Sequence, residues 1–207
     1  MTEALLIDVL REPRWLRQLS ASQWDEVFRA AMQADLAFHL SRLAVEGEAE
    51  DAMPDALRWH LLGLQWKLEA HREEVVRELS HLRRAFNEID LEPVLLKGAG
   101  YMAAGLPHAR YRLFSDIDLM VRHDRLDAAE QILHIHGWVD GHPDPHDQAF
   151  YREWMHELPP LTHQRRQTHL DLHHTITPRT SRWPVDGGLL WAASVPAETA
   201  PGFRVLS

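Results

Sequence analysis

Asp116 and Asp118 stand two residues apart in the run Phe114-Ser115-Asp116-Ile117-Asp118-Leu119-Met120-Val121. Strand side chains alternate between faces, so both carboxylates leave one side while Ile117 and Leu119 point into a core. Two neighbouring carboxylates repel each other unless a cation lies between them, and such oxygen donors suit Mg²⁺ or Mn²⁺. Upstream, apolar Val94-Leu95-Leu96 runs into Lys97-Gly98-Ala99-Gly100. A glycine-rich turn that opens a helix leaves backbone N–H groups free to approach phosphate oxygens. Lys97 and Arg112 are candidate phosphate ligands, the first as a point charge and the second as a bidentate fork, with Arg110 a weaker version of Arg112. A third acid lies in His169-Leu170-Asp171-Leu172-His173, whose strict alternation predicts a half-buried strand with Asp171 and both histidines on one face. Asp171 there would complete a second metal position and orient or deprotonate an attacking hydroxyl. A phosphate cradle with paired carboxylates reads as metal-assisted nucleotide chemistry. Each piece also has a plainer reading: surface acids on a strand end, Asp171 paired with His169 or His173, and Lys97 as a snorkelling strand-end lysine.

In this order, the pieces resemble the uncharacterised bacterial nucleotidyltransferase family of the polymerase-β-like superfamily. The residues that carry the likeness are Leu95-Leu96-Lys97-Gly98, then Arg112 four positions before Asp116-Ile117-Asp118-Leu119, then Asp171-Leu172-His173. It spans roughly residues 55 to 195. The superfamily usually has Gly-Ser where this chain has Gly98-Ala99, and Ala99 offers an N–H but no hydroxyl. The resemblance implies catalytic and metal-binding roles for Asp116, Asp118 and Asp171. It implies nucleotide contacts from Lys97, Gly98, Ala99, Arg112 and Ser115. The activity it implies is transfer of a nucleoside monophosphate, AMP from ATP in the first instance, with pyrophosphate leaving. The acceptor is a hydroxyl on a small molecule, a protein side chain or an RNA end. Two other classes would use the same residues: a divalent-metal phosphohydrolase, and a non-catalytic binding module such as half of a toxin–antitoxin-like pair. Relatives of this kind usually continue into a further helical segment, so the chain is expected to be a short member or a piece.

Fifteen histidines invite a metal reading. Yet the groups His134/His136, His142/His146 and His169/His173/His174 match no well-defined zinc spacing, and there is no cysteine to supply a thiolate. His173 is expected to tune Asp171 from behind. Repulsion between Asp116 and Asp118 predicts that Asp118→Asn slightly stabilises the metal-free protein.

The elements that must position these residues are legible in outline. The fold class is α+β: N-terminal helices (residues 1–90) followed by a polymerase-β-like core with a mixed sheet (residues 91–207). Leu5, Leu6, Val9 and Leu10 form a short helical face that Pro13 ends. A helix capped by Ser22 is expected to continue to Gly47. Leu57, Leu61, Leu64, Leu68, Val75, Leu79, Leu82, Phe86 and Ile89 recur at steps of three and four and predict one long helix. Strands are expected at 94–96, 114–121 and 138–139, with helices around 99–104 and 124–136. A loop is expected over Gly141–Gln148. A hairpin follows, with Phe150–Leu161 as one arm and Thr168–Thr175 as the other. The tail from Arg179 is expected to be irregular apart from Leu189–Ala193. The chain has 207 residues, no cysteine and a net charge of −9. That length buries a sizeable core, the missing cysteines fit a reducing cytoplasm, and the acidic balance argues against bulk nucleic-acid binding. No apolar run reaches membrane-spanning length.

Overall fold

The computed structural model describes residues 2–47, 49–141 and 144–206. Two compact units, Met1–Glu73 and Glu74–Ser207, meet inside one long helix.

The first unit holds α1 (Thr2–Arg11), α2 (Ala21–Gln33), α3 (Ala37–Glu46) and the first half of α4 (Asp55–Asn87). Val9, Leu16, Trp24, Val27, Leu40 and Leu61 form its core. The start of α2 differs from the expectation: the cap is Ser20, not Ser22. The Ser20 hydroxyl accepts from the Gln23 N–H while the Gln23 side chain accepts from the Ser20 N–H, a reciprocal capping box. The expected single helix from Ser22 to Gly47 is also two. Asp35, at φ +58°, breaks it, and aspartate is among the few residues that tolerate the left-handed region.

The second unit is a seven-stranded mixed sheet with helices packed on it. Its strands are β1 (Val94–Leu95), β2 (Asp116–Met120), β3 (Trp138–Asp140), β4 (Leu161–His163), β5 (His169–His173), β6 (Ser194–Pro196) and β7 (Arg204–Leu206), in the order β3-β4-β5-β2-β1-β7-β6. β2 and β5 run parallel, as do β1 and β7; every other pair is antiparallel. Helices followed by a mixed sheet is the α+β class that the sequence predicts. One sheet face buries Leu95, Ile117, Leu119, Leu170 and Leu172 against Leu79, Leu82 and Phe86 of α4 and Leu133 of α6 (Leu126–Ile135). The β4–β5 turn is pinned to α4 by Arg166, which forks onto both oxygens of buried Glu78 at 2.6 Å each, with Thr168 donating at 3.2 Å. β1 hands over directly to α5 (Lys97–Ala103).

Two expectations fail here. Phe150–Trp154 is not strand; it belongs to α7 (Pro145–Trp154), which also takes up the end of the expected loop. Proline is well placed at a helix start, where its missing N–H costs nothing. Arg152 ties α7 down by donating to both oxygens of Glu130 on α6, at 2.6 and 2.5 Å. Nor is the tail irregular: after α8 (Gly187–Ala193), β6 and β7 form a hairpin whose turn uses Gly202 at φ +88°, and β7 adds to β1. Pro196 lies on β6, the outermost strand, where a missing donor is tolerated. Among the described residues, no helix is long and apolar enough to cross a membrane.

Two glycine substitutions separate packing from propensity. A Cβ on Gly100 would lie 2.5 Å from the Leu95 carbonyl oxygen, which is backbone and has nowhere to go. Gly63, exposed within α4, has nothing within 4 Å of that position. Gly100→Ala is therefore expected to destabilise by about 1–3 kcal/mol, and Gly63→Ala to stabilise by about 0.5–1 kcal/mol. Urea unfolding of the two variants checks both signs.

Candidate functional site

The parallel register of β2 and β5 sets Asp118 opposite Asp171, Asp116 opposite His169 and Met120 opposite His173. All of these point away from the main core, onto the face where Val94, Leu96 and Met120 pack with Leu190 and Trp191 of α8. Asp118 is only 2 % exposed. Its Oδ1 accepts from the Lys97 ammonium at 2.5 Å and pairs with His173 Nε2 at 2.9 Å. Burial disfavours the Asp118 charge, but the bonds from His173 and Lys97 outweigh it and hold the carboxyl below the usual range. Burial likewise works against the Lys97 charge, and Asp118 outweighs it, holding the ammonium above its ordinary value. The Lys97 side chain is still 56 % exposed, so one end of this pair faces solvent. Its backbone sits at φ +44°, a strained conformation for a residue with a Cβ.

Asp171 is half-buried and, among the described residues, receives no side-chain hydrogen bond. Burial first, then the nearby charges of Glu157, Asp118 and Asp116, push its carboxyl up to about 6. Ligand atoms of Asp118, Asp171 and His173 all lie within 4.8 Å of one another. Two carboxylates in an excess of negative charge, one of them holding its proton to near neutrality, are a donor set that a divalent cation fits. Asp116 is further out and half-buried. It shares the face of Asp118 by alternation and accepts from the Ser115 hydroxyl at 3.2 Å. Among the described residues it belongs to no group of three ligand atoms within 4.8 Å.

Apart from Lys97, the expected phosphate ligands lie in the segment that joins β1 to β2. Gly98 and Ala99 are buried in the first turn of α5, where backbone N–H groups lack intrahelical partners. Gly98 also answers a packing need, since a Cβ there would meet the Phe114 ring at 2.5 Å. Arg112 is exposed and follows a 3-10 turn over Pro107–Tyr111. A cavity of about 300 Å³ opens beside Lys97, lined in part by Leu96, Tyr101, Ile176, His156 and His173.

His173 acts on Asp171 only through its charge, which opposes the rise of that carboxyl, and its hydrogen-bonding positions face other groups. Its Nε2 serves Asp118 and its Nδ1 faces the Glu157 carboxylate at 3.1 Å. Asp118 is paired rather than repelled, so the sign expected of Asp118→Asn changes from stabilising to destabilising. Glu157 and His156 went unrecognised in the sequence. They lie in the segment between α7 and β4 and reach the site because Glu157 bridges His173 in antiparallel fashion, with Leu158 N–H bonded to Leu172 O at 2.9 Å. The available signal was the hairpin itself, since whatever pairs alongside Asp171 must present side chains beside it. Other histidines serve elsewhere: His136 pairs with Glu88, His169 with Thr162, and the His142/His146 pair lies outside the described side chains. Glu130, His134 and Asp140 cluster within 4.8 Å, but Arg152 already binds both Glu130 oxygens.

A family model described as an uncharacterised nucleotidyltransferase matches residues 20–207. No curated protein and no solved structure matches significantly. The chain belongs to that family, whose chemistry is nucleotidyl transfer.

The two central acids are expected to differ in sign. Asp118→Asn leaves Lys97 and His173 without their buried partner and should destabilise by about 1–3 kcal/mol. Asp171 binds its proton more tightly folded, near pH 6, than unfolded, near pH 4. The folded state thus holds the extra proton in that window, so wild-type stability falls as pH rises through it and stays reduced above it. Asp171→Asn removes that loss and should raise the metal-free melting temperature at pH 7, at about 2–4 °C for each kcal/mol recovered. Melts of wild type and both variants from pH 4 to pH 8 in EDTA check the signs and the window.

Proposed function

We propose that this family member transfers a nucleoside monophosphate, AMP from ATP, to an acceptor hydroxyl at the β2–β5 face, in the manner of polymerase-β-like nucleotidyltransferases. The observation that carries this reading is the direct pairing of Asp118 with Asp171 on parallel strands, with Lys97 at their edge. Asp116, Asp118 and Asp171 would hold the divalent cation, Mg²⁺ or Mn²⁺, which supplies neutralisation of charge on the phosphates.

The remaining work falls to the chain's own groups. Asp171 accepts the proton of the acceptor hydroxyl as its oxygen bonds to the α-phosphorus. The bond from that phosphorus to the bridging oxygen breaks, and its electron pair leaves with pyrophosphate. Lys97, with a side chain 56 % exposed, moves from Asp118 to a phosphate oxygen when nucleotide arrives, which keeps a positive charge at the site in both states. Arg112, the Ser115 hydroxyl and the first N–H groups of α5 at Gly98 and Ala99 orient the triphosphate. The acceptor is a small-molecule, protein or RNA hydroxyl, and a cytoplasmic setting goes with a triphosphate donor.

Metal and nucleotide that share one site stabilise the native state cooperatively. Mg²⁺ with ATP is therefore expected to raise the melting temperature by more than the sum of the separate shifts. Pyrophosphate release with an acceptor panel should fall about a hundred-fold or more in Asp171→Asn and Asp118→Asn. Additive shifts, or wild-type turnover in Asp171→Asn, would overturn the reading. AMP release without acceptor product would reassign the site to hydrolysis.

A further inference from the structure

Behind the paired aspartates lies a second cluster that nucleotidyl transfer by Asp118 and Asp171 does not use. Glu157 Oε2 is 3.1 Å from His173 Nδ1 and 3.4 Å from His156 Nε2. One ligand atom from each of the three residues lies within 4.8 Å of the others. We propose that His156, Glu157 and His173 Nδ1 form a separate site for a transition-metal cation of the Zn²⁺ class.

Three observations carry the proposal. The first is an unsatisfied buried nitrogen. His173 is 1 % exposed, and its Nδ1 has no hydrogen-bond partner even though a carboxylate oxygen lies 3.1 Å away. The two atoms are close without the alignment of a hydrogen bond, as ligands are when both point at a shared third atom. The second is distance. Donors about 2.0–2.1 Å from a tetrahedral zinc lie roughly 3.3–3.4 Å apart, close to the 3.1 and 3.4 Å between Glu157 Oε2 and the two imidazole nitrogens.

The third is the other side of the same imidazole. His173 Nε2 lies 2.9 Å from Asp118 Oδ1, so its proton is donated to a carboxylate and Nδ1 is left with the lone pair. A metal-binding histidine characteristically gives its other N–H to a carboxylate, which fixes the tautomer and raises the basicity of the ligating nitrogen. Two imidazoles with one carboxylate, and a fourth position for water, is a donor set suited to zinc rather than to Mg²⁺, which prefers oxygen. His156 and His173 both line the 300 Å³ cavity, which provides the route in.

The proposal stands on this geometry and does not depend on nucleotidyl transfer. The test is titration of the EDTA-treated full chain with ZnCl₂ by calorimetry, followed by Co²⁺ in place of zinc to read the visible ligand-field spectrum. About one equivalent of Zn²⁺ should bind, weakened at least about ten-fold in both His156→Gln and Glu157→Gln, with the Co²⁺ spectrum altered in each. If Glu157→Gln fails to fold by circular dichroism, His156→Gln decides alone. No Zn²⁺ binding by wild type, or equal binding and an unchanged Co²⁺ spectrum in the variants, overturns the proposal. The Mg²⁺–ATP melting shift, measured alongside, reports on nucleotidyl transfer separately: its absence with zinc binding intact would sink that reading and leave this one standing.

Discussion

A carboxylate charge sealed from water costs several kcal/mol unless it is paired and hydrogen-bonded. Asp118 is such a charge, and much of the surrounding architecture can be read as the means of pairing it. Lys97 reaches it because β1 lies antiparallel beside β2, with Leu96 N–H bonded to Asp118 O at 2.9 Å and the lysine next in line. His173 reaches it because β5 lies parallel on the other side, in a register that places the imidazole one same-face step beyond Asp171. A slip of one residue in either strand would turn the partner to the opposite face and leave the charge uncompensated. The ion pair and the strand order therefore specify each other.

The two faces of the sheet divide the labour. The apolar face, built on Leu95, Ile117, Leu119, Leu170 and Leu172 against α4 and α6, supplies most of the burial. The other face keeps only a small apolar group of Val94, Leu96 and Met120 under α8 and gives the rest to acids and histidines. A polar face of this kind destabilises a sheet unless the backbone beneath it is held from elsewhere. The Arg166 fork onto Glu78, buried at the far end of the β4–β5 turn, is such an anchor, and it acts on the hairpin that carries Asp171.

What the sequence made legible follows the range of its signals. Periods of 3.6 and 2 are local, and they located α4, α6, β2 and β5 along with the facing of Asp116, Asp118 and Asp171. The break at Asp35 and the cap at Ser20 were missed because either of two nearby residues could serve and short-range hydrogen bonds decide between them. The failure at Phe150–Trp154 is of another kind. Tyr151–Met155 and Phe150–Trp154 are spaced for a helix as well as a strand, and the Arg152–Glu130 pair that favours the helix spans residues far apart in the chain. The expected hairpin set this stretch beside the Asp171 strand, but spacing did not single out His156 and Glu157 within it. The pairing of Lys97 with Asp118 was hidden for the same reason: spacing gives a strand's phase, and only the neighbouring strand gives its partners.

Charge then decides how ligands must arrive. Asp116, Asp118, Asp171 and Glu157 surround a site at whose edge Lys97 supplies positive charge. Burial first, and then the charges of these acids, raise the Asp171 carboxyl, so the site is both poorly hydrated and negative. A bare polyanion entering there would meet repulsion from every acid at once, in surroundings less screened than water. A divalent cation alone meets Lys97, whose ammonium already occupies one oxygen of Asp118. Each ligand would remove the other's obstacle: the cation would offset the acids for the phosphates, and the phosphates would give the displaced ammonium a new partner. On the proposed reading, cation and nucleotide would enter as one complex, and Lys97 would be the group whose movement links the two.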